Sequence, residues 1–220
     1  MRRLEFSASV VALCFSSRCL PTLPAAALID EEPEASRRLS ELVRGRRPSG
    51  WSDAERPSVD ALVEELVALR APYRTAAARG KWRLVYLQPG TEPPQLGLPF
   101  NEHYRIFGKS DVISVAELVG PTLEVRAAGA WRDDDPTSQS TPKRFREDIA
   151  QGALCAALTM GRAEKANIGR ACAPLPLSPR SETYRVVESQ YVGARLRIDQ
   201  DFNSGGTRCV YERVQGFSGR

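Results

Sequence analysis

Apolar residues recur at helical spacing early in the chain and at every second position later. Residues 35–45 place Leu39, Leu42 and Val43 on one helical face. The next run is stronger: Val59, Leu62, Val63 and Leu66 follow the i, i+3, i+4, i+7 spacing of an amphipathic helix. Ser58 stands in the N-cap position, and Pro72, which restricts the residue before it, marks the end. Pro48-Ser49-Gly50 and Pro57 read as the loop between the two helices.

From Lys81 the period becomes two. Trp82, Leu84 and Tyr86 share one face of a strand, with Arg83, Val85 and Leu87 on the other. Residues 88–100 are too rich in proline and glycine for either element. Strand-like runs resume at 104–107, 111–119 and 122–127, and again at 184–192, 194–200 and 207–214. Residues 144–163 admit two readings: Phe145, Ile149, Ala153 and Ala157 make a helix face, while 153–160 reads equally as a buried strand. Pro174, Pro176 and Pro179 form a stiff linker, and Asn203 through Gly206 supply the residues a hairpin turn needs. Short strands broken by turns, after initial helices, predict a mainly β fold: an antiparallel β-barrel preceded by one or two α-helices.

The first 27 residues differ from the rest. Arg2, Arg3 and Arg18 accompany four serines and a single acid, Glu5; an apolar run follows, then Ala25-Ala26-Ala27, and acids begin at Asp30. This is the profile of an organellar transit or export signal, with an ordinary N-terminal helix as the alternative. The expected organisation is a signal at 1–27, a helical extension at 28–57, the barrel domain at 58–214 and a tail at 215–220. No window approaches the roughly 20 uninterrupted apolar residues of a membrane-spanning helix.

A net charge of +4 from 31 basic and 27 acidic residues is too small for a nucleic-acid footprint. Arg44, Arg46 and Arg47 read as a solvated helix end. Cys14 and Cys19 fall within the signal, leaving Cys155, Cys172 and Cys209, without C-x-x-C spacing. Cys172 and Cys209 could pair in an oxidising lumen; buried free thiols are the alternative. His103 is the only histidine, so a metal site built on histidines is excluded and any Ser-His or Cys-His catalyst must use it. No G-x-S-x-G accompanies it, and it reads as a surface or rim residue. Asp133-Asp134-Asp135 lacks the glycine and distal glutamate of a calcium loop and reads as a solvated turn. No catalytic residue, metal site or cofactor is expected.

Gly80-Lys81-Trp82 is similar to the G-x-W of the lipocalins' first strand. In that family the tryptophan packs at the barrel's closed end against an arginine near the last strand. Arg213 is the matching candidate here, with Arg197 second. The helix before Gly80, Trp82 through Tyr86, Asp111-Val112, Leu123-Glu124-Val125, Tyr191-Val192, Leu196-Arg197-Ile198, Gly205-Gly206 and Val210 through Arg213 together resemble the plastid lipid-associated proteins, the PAP/fibrillin family. The resemblance spans roughly 59–213 and favours a strand within 144–163. It departs at Gly193, where the family shows an aspartate, and this puts in doubt any role of that carboxylate.

The resemblance implies a lipocalin-like barrel in the chloroplast, associated with thylakoids or plastoglobules, with the lumen as a possible compartment. It implies a non-enzymatic protein that binds or carries small hydrophobic metabolites: isoprenoids, quinones, carotenoids or fatty acids. Its partners would be such a molecule or lipid, and a peripheral membrane or lipid-globule surface. Trp82, Leu84, Tyr86, Leu196 and Ile198 are the expected barrel-lining, ligand-binding positions, and Trp82 with Arg213 the barrel closure. Two rival readings stand beside this one. The first is a scaffold that coats lipid globules or stabilises photosynthetic complexes without an internal ligand. The second is an enzyme acting on a lipid in the cavity, which needs His103 or a carboxylate pointing inward.

Overall fold

Helix formation begins where small and apolar side chains line one face. In a computed structural model, which describes residues 32–88, 101–119, 122–159, 167–175, 184–202 and 206–215, helix α1 (Glu34–Val43) buries Ala35, Ser36, Leu39, Ser40 and Val43. Leu42, expected on that face, is 43% exposed, because the two serines pull the buried stripe away from it. The expected signal at 1–27, Pro176, Pro179 and the turn residues Asn203, Ser204 and Gly205 lie outside the described residues.

Helix α2 (Arg56–Ala68) buries Val59, Leu62, Val63 and Leu66. It starts before Ser58, which is therefore not its cap. Pro57 sits in the first turn, where a missing N–H costs nothing. The turn is set earlier: Glu55 Oε2 accepts hydrogen bonds from the Ser52 amide (3.0 Å) and hydroxyl (2.7 Å). A short α3 (Thr75–Ala78), which the periodicity does not signal, follows.

The strands are β1 (Gly80–Leu87), β2 (Glu102–Phe107), β3 (Asp111–Glu117), β4 (Leu123–Asp133), β5 (Lys143–Thr159), β6 (Asn167–Leu175), β7 (Tyr184–Val192), β8 (Leu196–Asp201) and β9 (Thr207–Arg213). They pair antiparallel in the order β4-β3-β2-β1-β9-β8-β7-β5, and a β4–β5 pairing closes the ring. The fold class read from the pattern is the one found. β5 is strand throughout: Lys143 to Asp148 pair with β7, and Gly152 to Thr159 pair with β6. β6 occupies part of what reads as a proline linker. It tolerates Pro174 because it is a sheet edge outside the ring, where one missing N–H breaks no second ladder.

Register divides the side chains into two layers. Trp82 faces Arg105, which faces Ser114, which faces Ala127, so all four point to one side, the barrel interior. β1 then bulges at Val85: Leu84 pairs with Tyr211, but Tyr86 pairs with Val210. One extra residue turns every later side chain to the opposite face. The Trp51 indole donates to the Val85 carbonyl at 2.8 Å and anchors the bulge. The inner layer joins Tyr73, Trp82, Leu84, Phe107, Val112, Trp131, Phe145, Cys209 and Tyr211. The outer layer packs Tyr86, Tyr191, Leu196, Ile198 and Val210 under α1, α2 and Trp51. Residues on both sides of position 57, from Ala35 to Leu66, thus share this one apolar layer.

Of the two readings left open for the cysteines, a Cys172–Cys209 bond is not the one found, and a buried free thiol holds for Cys209 alone. Cys155 and Cys172 face each other across β5 and β6 and form a disulfide. Cys209 points into the barrel from β9, out of reach of β6, and remains a buried free thiol whose pKa burial pushes up to about 11. The disulfide closes a short loop (17 residues apart), worth roughly 3 kcal/mol to the hairpin.

Candidate functional site: the barrel interior

One end of the barrel is sealed from the sequence upward. Trp82 is fully buried and donates its indole N–H to the Ala78 carbonyl at 3.0 Å. The Arg213 guanidinium lies over its ring, 4.2 Å from the centroid. Arg213 also donates to the carbonyls of Ala194 (2.7 Å), Arg79 (2.9 Å) and Ala77, stitching the last strand to α3 and the β7–β8 turn. Gly80 makes room for this: its φ is +124°, and a Cβ there would stand 2.9 Å from Arg213 Nη1. Arg197 takes another seat, 3.8 Å above Phe107, with its Nε donating to both Asp199 oxygens at 2.8 Å. Tyr73, Phe145, Trp131 and Phe107 complete an aromatic floor, with successive ring centroids 5.2, 5.0 and 6.3 Å apart.

Of the five residues expected to line the lumen, Trp82 and Leu84 do face inward, both within the closed end. Tyr86, Leu196 and Ile198 do not. The Val85 bulge carries Tyr86 to the outer face, where its hydroxyl donates to Asp60 at 2.7 Å. Leu196 and Ile198 alternate with the inward Arg197 and Asp199, so they too pack beneath the helices. No pattern of apolar spacing marks a bulge, and regular alternation is the natural reading without one.

What fills the interior above the floor is charge, which apolar periodicity could not reveal. Arg105, 1% exposed, pairs with Glu147, which is 2% exposed, and its Nη1 lies 3.5 Å from Asp199. Asp199 also accepts from Ser189 Oγ at 2.7 Å, and Arg185 pairs with Asp201. Burial works against the Arg105 cation, but Glu147 foremost, with Tyr211 and Asp199, outweighs it and holds the pKa above its ordinary value. Three guanidiniums and three carboxylates thus cancel inside the barrel. The signal available in the sequence was the alternation Arg197-Asp199-Asp201 on β8, charges at every second position of a strand.

His103 points inward, not to the surface. Its Nε2 and Ser114 Oγ share a hydrogen bond 2.7 Å long. Burial, then the Arg105 and Arg185 cations, push the imidazole pKa down from 6.5 to about 3. Such an imidazole is a poor general base, since taking the Ser114 proton would place a third cation beside two guanidiniums. It also makes stability pH-dependent. Below about pH 6.5 the unfolded chain binds a proton that the folded chain refuses until about pH 3. The contribution is intact above that window and falls as pH drops through it, by at most about 1.4 kcal/mol per unit and less because the ring is only partly buried. Urea midpoints between pH 7 and pH 5 should therefore fall more steeply for the native protein than for His103→Asn. Identical slopes would remove the histidine from the account.

Two smaller expectations resolve locally. Asp133 forms an ion pair with Lys143 at 2.7 Å, and the same ammonium donates to the Asp135 and Ser138 carbonyls, so one carboxylate of the acidic triplet is met by the chain's own lysine. At Gly193 a Cβ would fall 2.7 Å from the Tyr191 hydroxyl, so the aspartate of the resembled pattern would have to displace that ring.

Compared with known proteins, the chain matches no family model, no curated protein and no solved structure.

Proposed function

We propose that this chain is a non-enzymatic, lipid-associated protein of the plastid, of PAP/fibrillin type. It serves as a scaffold at thylakoid or plastoglobule surfaces, coating lipid or stabilising photosynthetic complexes, without an internal apolar ligand. The observation that carries the reading is the ladder of Arg105, Glu147, Asp199, Arg197, Arg185 and Asp201 across the barrel. An isoprenoid, quinone or carotenoid placed there would part charges that are already buried and paired, at a cost of several kcal/mol per ion. The barrel is then a rigid body, and contact with lipid belongs to its exterior. The plastid location rests on the resemblance and on the composition of residues 1–27.

A second reading, carriage of a hydrophobic metabolite, is favoured by a groove on the outer face of β3–β6. Its volume is about 710 Å3, and Ile113, Ala128, Ala150, Ala153, Pro174 and Leu175 contribute its apolar lining. Ligand sites commonly fall between about 300 and 1,000 Å3. This reading moves the ligand from the lumen to the outside of the sheet.

Flotation of the full chain with lipid vesicles, beside titration of a quinone, carotenoid and fatty-acid panel against tryptophan fluorescence, separates the two. The scaffold reading expects flotation without saturable uptake. Saturable uptake that Ala153→Trp blocks would overturn it in favour of the groove. A folded protein that does neither overturns both.

A further inference from the structure

At the C-terminal end of α1, a cleft of about 500 Å3 opens against the outer barrel wall, lined by Ser40, Arg44, Arg83, Arg195, Glu212 and Arg213 among others. Four arginines face one carboxylate in that lining. The Arg83 charge is met, with Nη2 2.7 Å from Glu212 and Nη1 3.7 Å from Glu102. The other three are not met equally. Arg195 reaches Glu32 at 3.7 Å with more than half its side chain exposed. Arg213 spends its donors on carbonyls, which accept hydrogen bonds without cancelling charge. Arg44 is exposed and forms no ion pair among the described residues.

The helix supplies a second, independent observation. Ser36 and Ser40 lie four residues apart on one face of α1, and Arg44 follows four residues on, directly after the helix ends. Ser36 Oγ donates to Glu32 at 2.8 Å. Ser40 is 5% exposed, yet its Oγ has no hydrogen-bond partner among the described residues. A buried hydroxyl without a partner is costly, and this one lines a cleft of unbalanced guanidiniums. Arginine and hydroxyl donors converging on one concavity are the chemistry that recognises tetrahedral oxyanions.

We infer that this cleft binds a phosphate- or sulfonate-bearing group, with Arg44 and Arg195 holding it from the rim, Ser40 Oγ from the floor, and Arg213 supplying fixed positive charge behind. The inference rests on the surface-scaffold reading for one source of that group, an anionic lipid headgroup. Free phosphate is the other source.

The test uses the full chain and neutral phosphatidylcholine vesicles, with and without phosphatidylglycerol, alongside titration with inorganic phosphate. Tighter binding to the anionic vesicles, reduced roughly tenfold in the paired variant Arg44→Gln, Arg195→Gln and severalfold in Ser40→Ala, assigns the site to a headgroup. Saturable phosphate binding with the same sensitivity, but no preference among vesicles, supports the site and assigns it to a free anion. An equal loss in the control pair Arg132→Gln, Arg146→Gln, or no response to either probe, overturns the inference. Flotation with neutral vesicles that survives such a failure leaves the scaffold reading standing. Phosphate binding without any flotation does the reverse.

Discussion

Replacing Glu147 with alanine is expected to cost about 3–5 kcal/mol of folding stability, the usual result of stranding one partner of a buried ion pair. Its partner Arg105 is 1% exposed and already has Nε and Nη1 without hydrogen-bond partners among the described residues. Asp199 stands 3.5 Å away but is engaged by Arg197 Nε at 2.8 Å and by Ser189, so it cannot take over. For a domain of this size the loss corresponds to a melting-temperature drop of roughly 6–20 °C, read by calorimetry or urea denaturation. Removing both partners, as Arg105→Met with Glu147→Leu, should recover most of the loss, because no uncompensated charge then stays behind. A single variant within about 1 kcal/mol of the native protein would mean that water reaches the pair, and the argument for a filled interior would fail with it.

That ladder bounds what the sequence could disclose. The amphipathic helices and the alternating strands were legible because burial repeats with the geometry of the element: Val59, Leu62, Val63 and Leu66 all lie inside. The pairing of Trp82 with Arg213 rested on a resemblance, and the structure brings those two residues together. The interior was not legible, for two physical reasons. A bulge at Val85 changes which face follows without changing composition, so Tyr86 reads as lining and stands outside. Buried charges also look like exposed ones in sequence, since only their partners distinguish them. Glu147 and Arg105 lie 42 residues apart and meet solely because the ring closes. The reverse error is Leu42, an apolar residue at helical spacing that a serine-rich stripe leaves on the surface.

The closed end gives the second large expectation. Trp82→Ala should cost about 3–5 kcal/mol, from the lost burial and the cavity it leaves among Tyr73, Phe107 and Tyr211. Arg213→Ala should cost less on its own, through the three carbonyls it would cease to bind and the cation–π contact of about 0.5–2 kcal/mol. The informative quantity is the coupling between them, measured by combining the two substitutions in a double-mutant cycle. A coupling of about 0.5–2 kcal/mol would show that the guanidinium and the indole act together, so that the first and last strands close the barrel through their side chains. A coupling near zero would assign the closure to backbone stitching alone, with Arg213 working through Ala77, Arg79 and Ala194 and the ring serving only as filler. In that case the room at Gly80, rather than the indole contact, would decide how Arg213 closes the barrel. The +124° φ of Gly80 and its missing side chain, whose Cβ would stand only 2.9 Å from Arg213 Nη1, are what let those carbonyls be reached. Gly80→Ala would then destabilise the barrel as much as Arg213→Ala does.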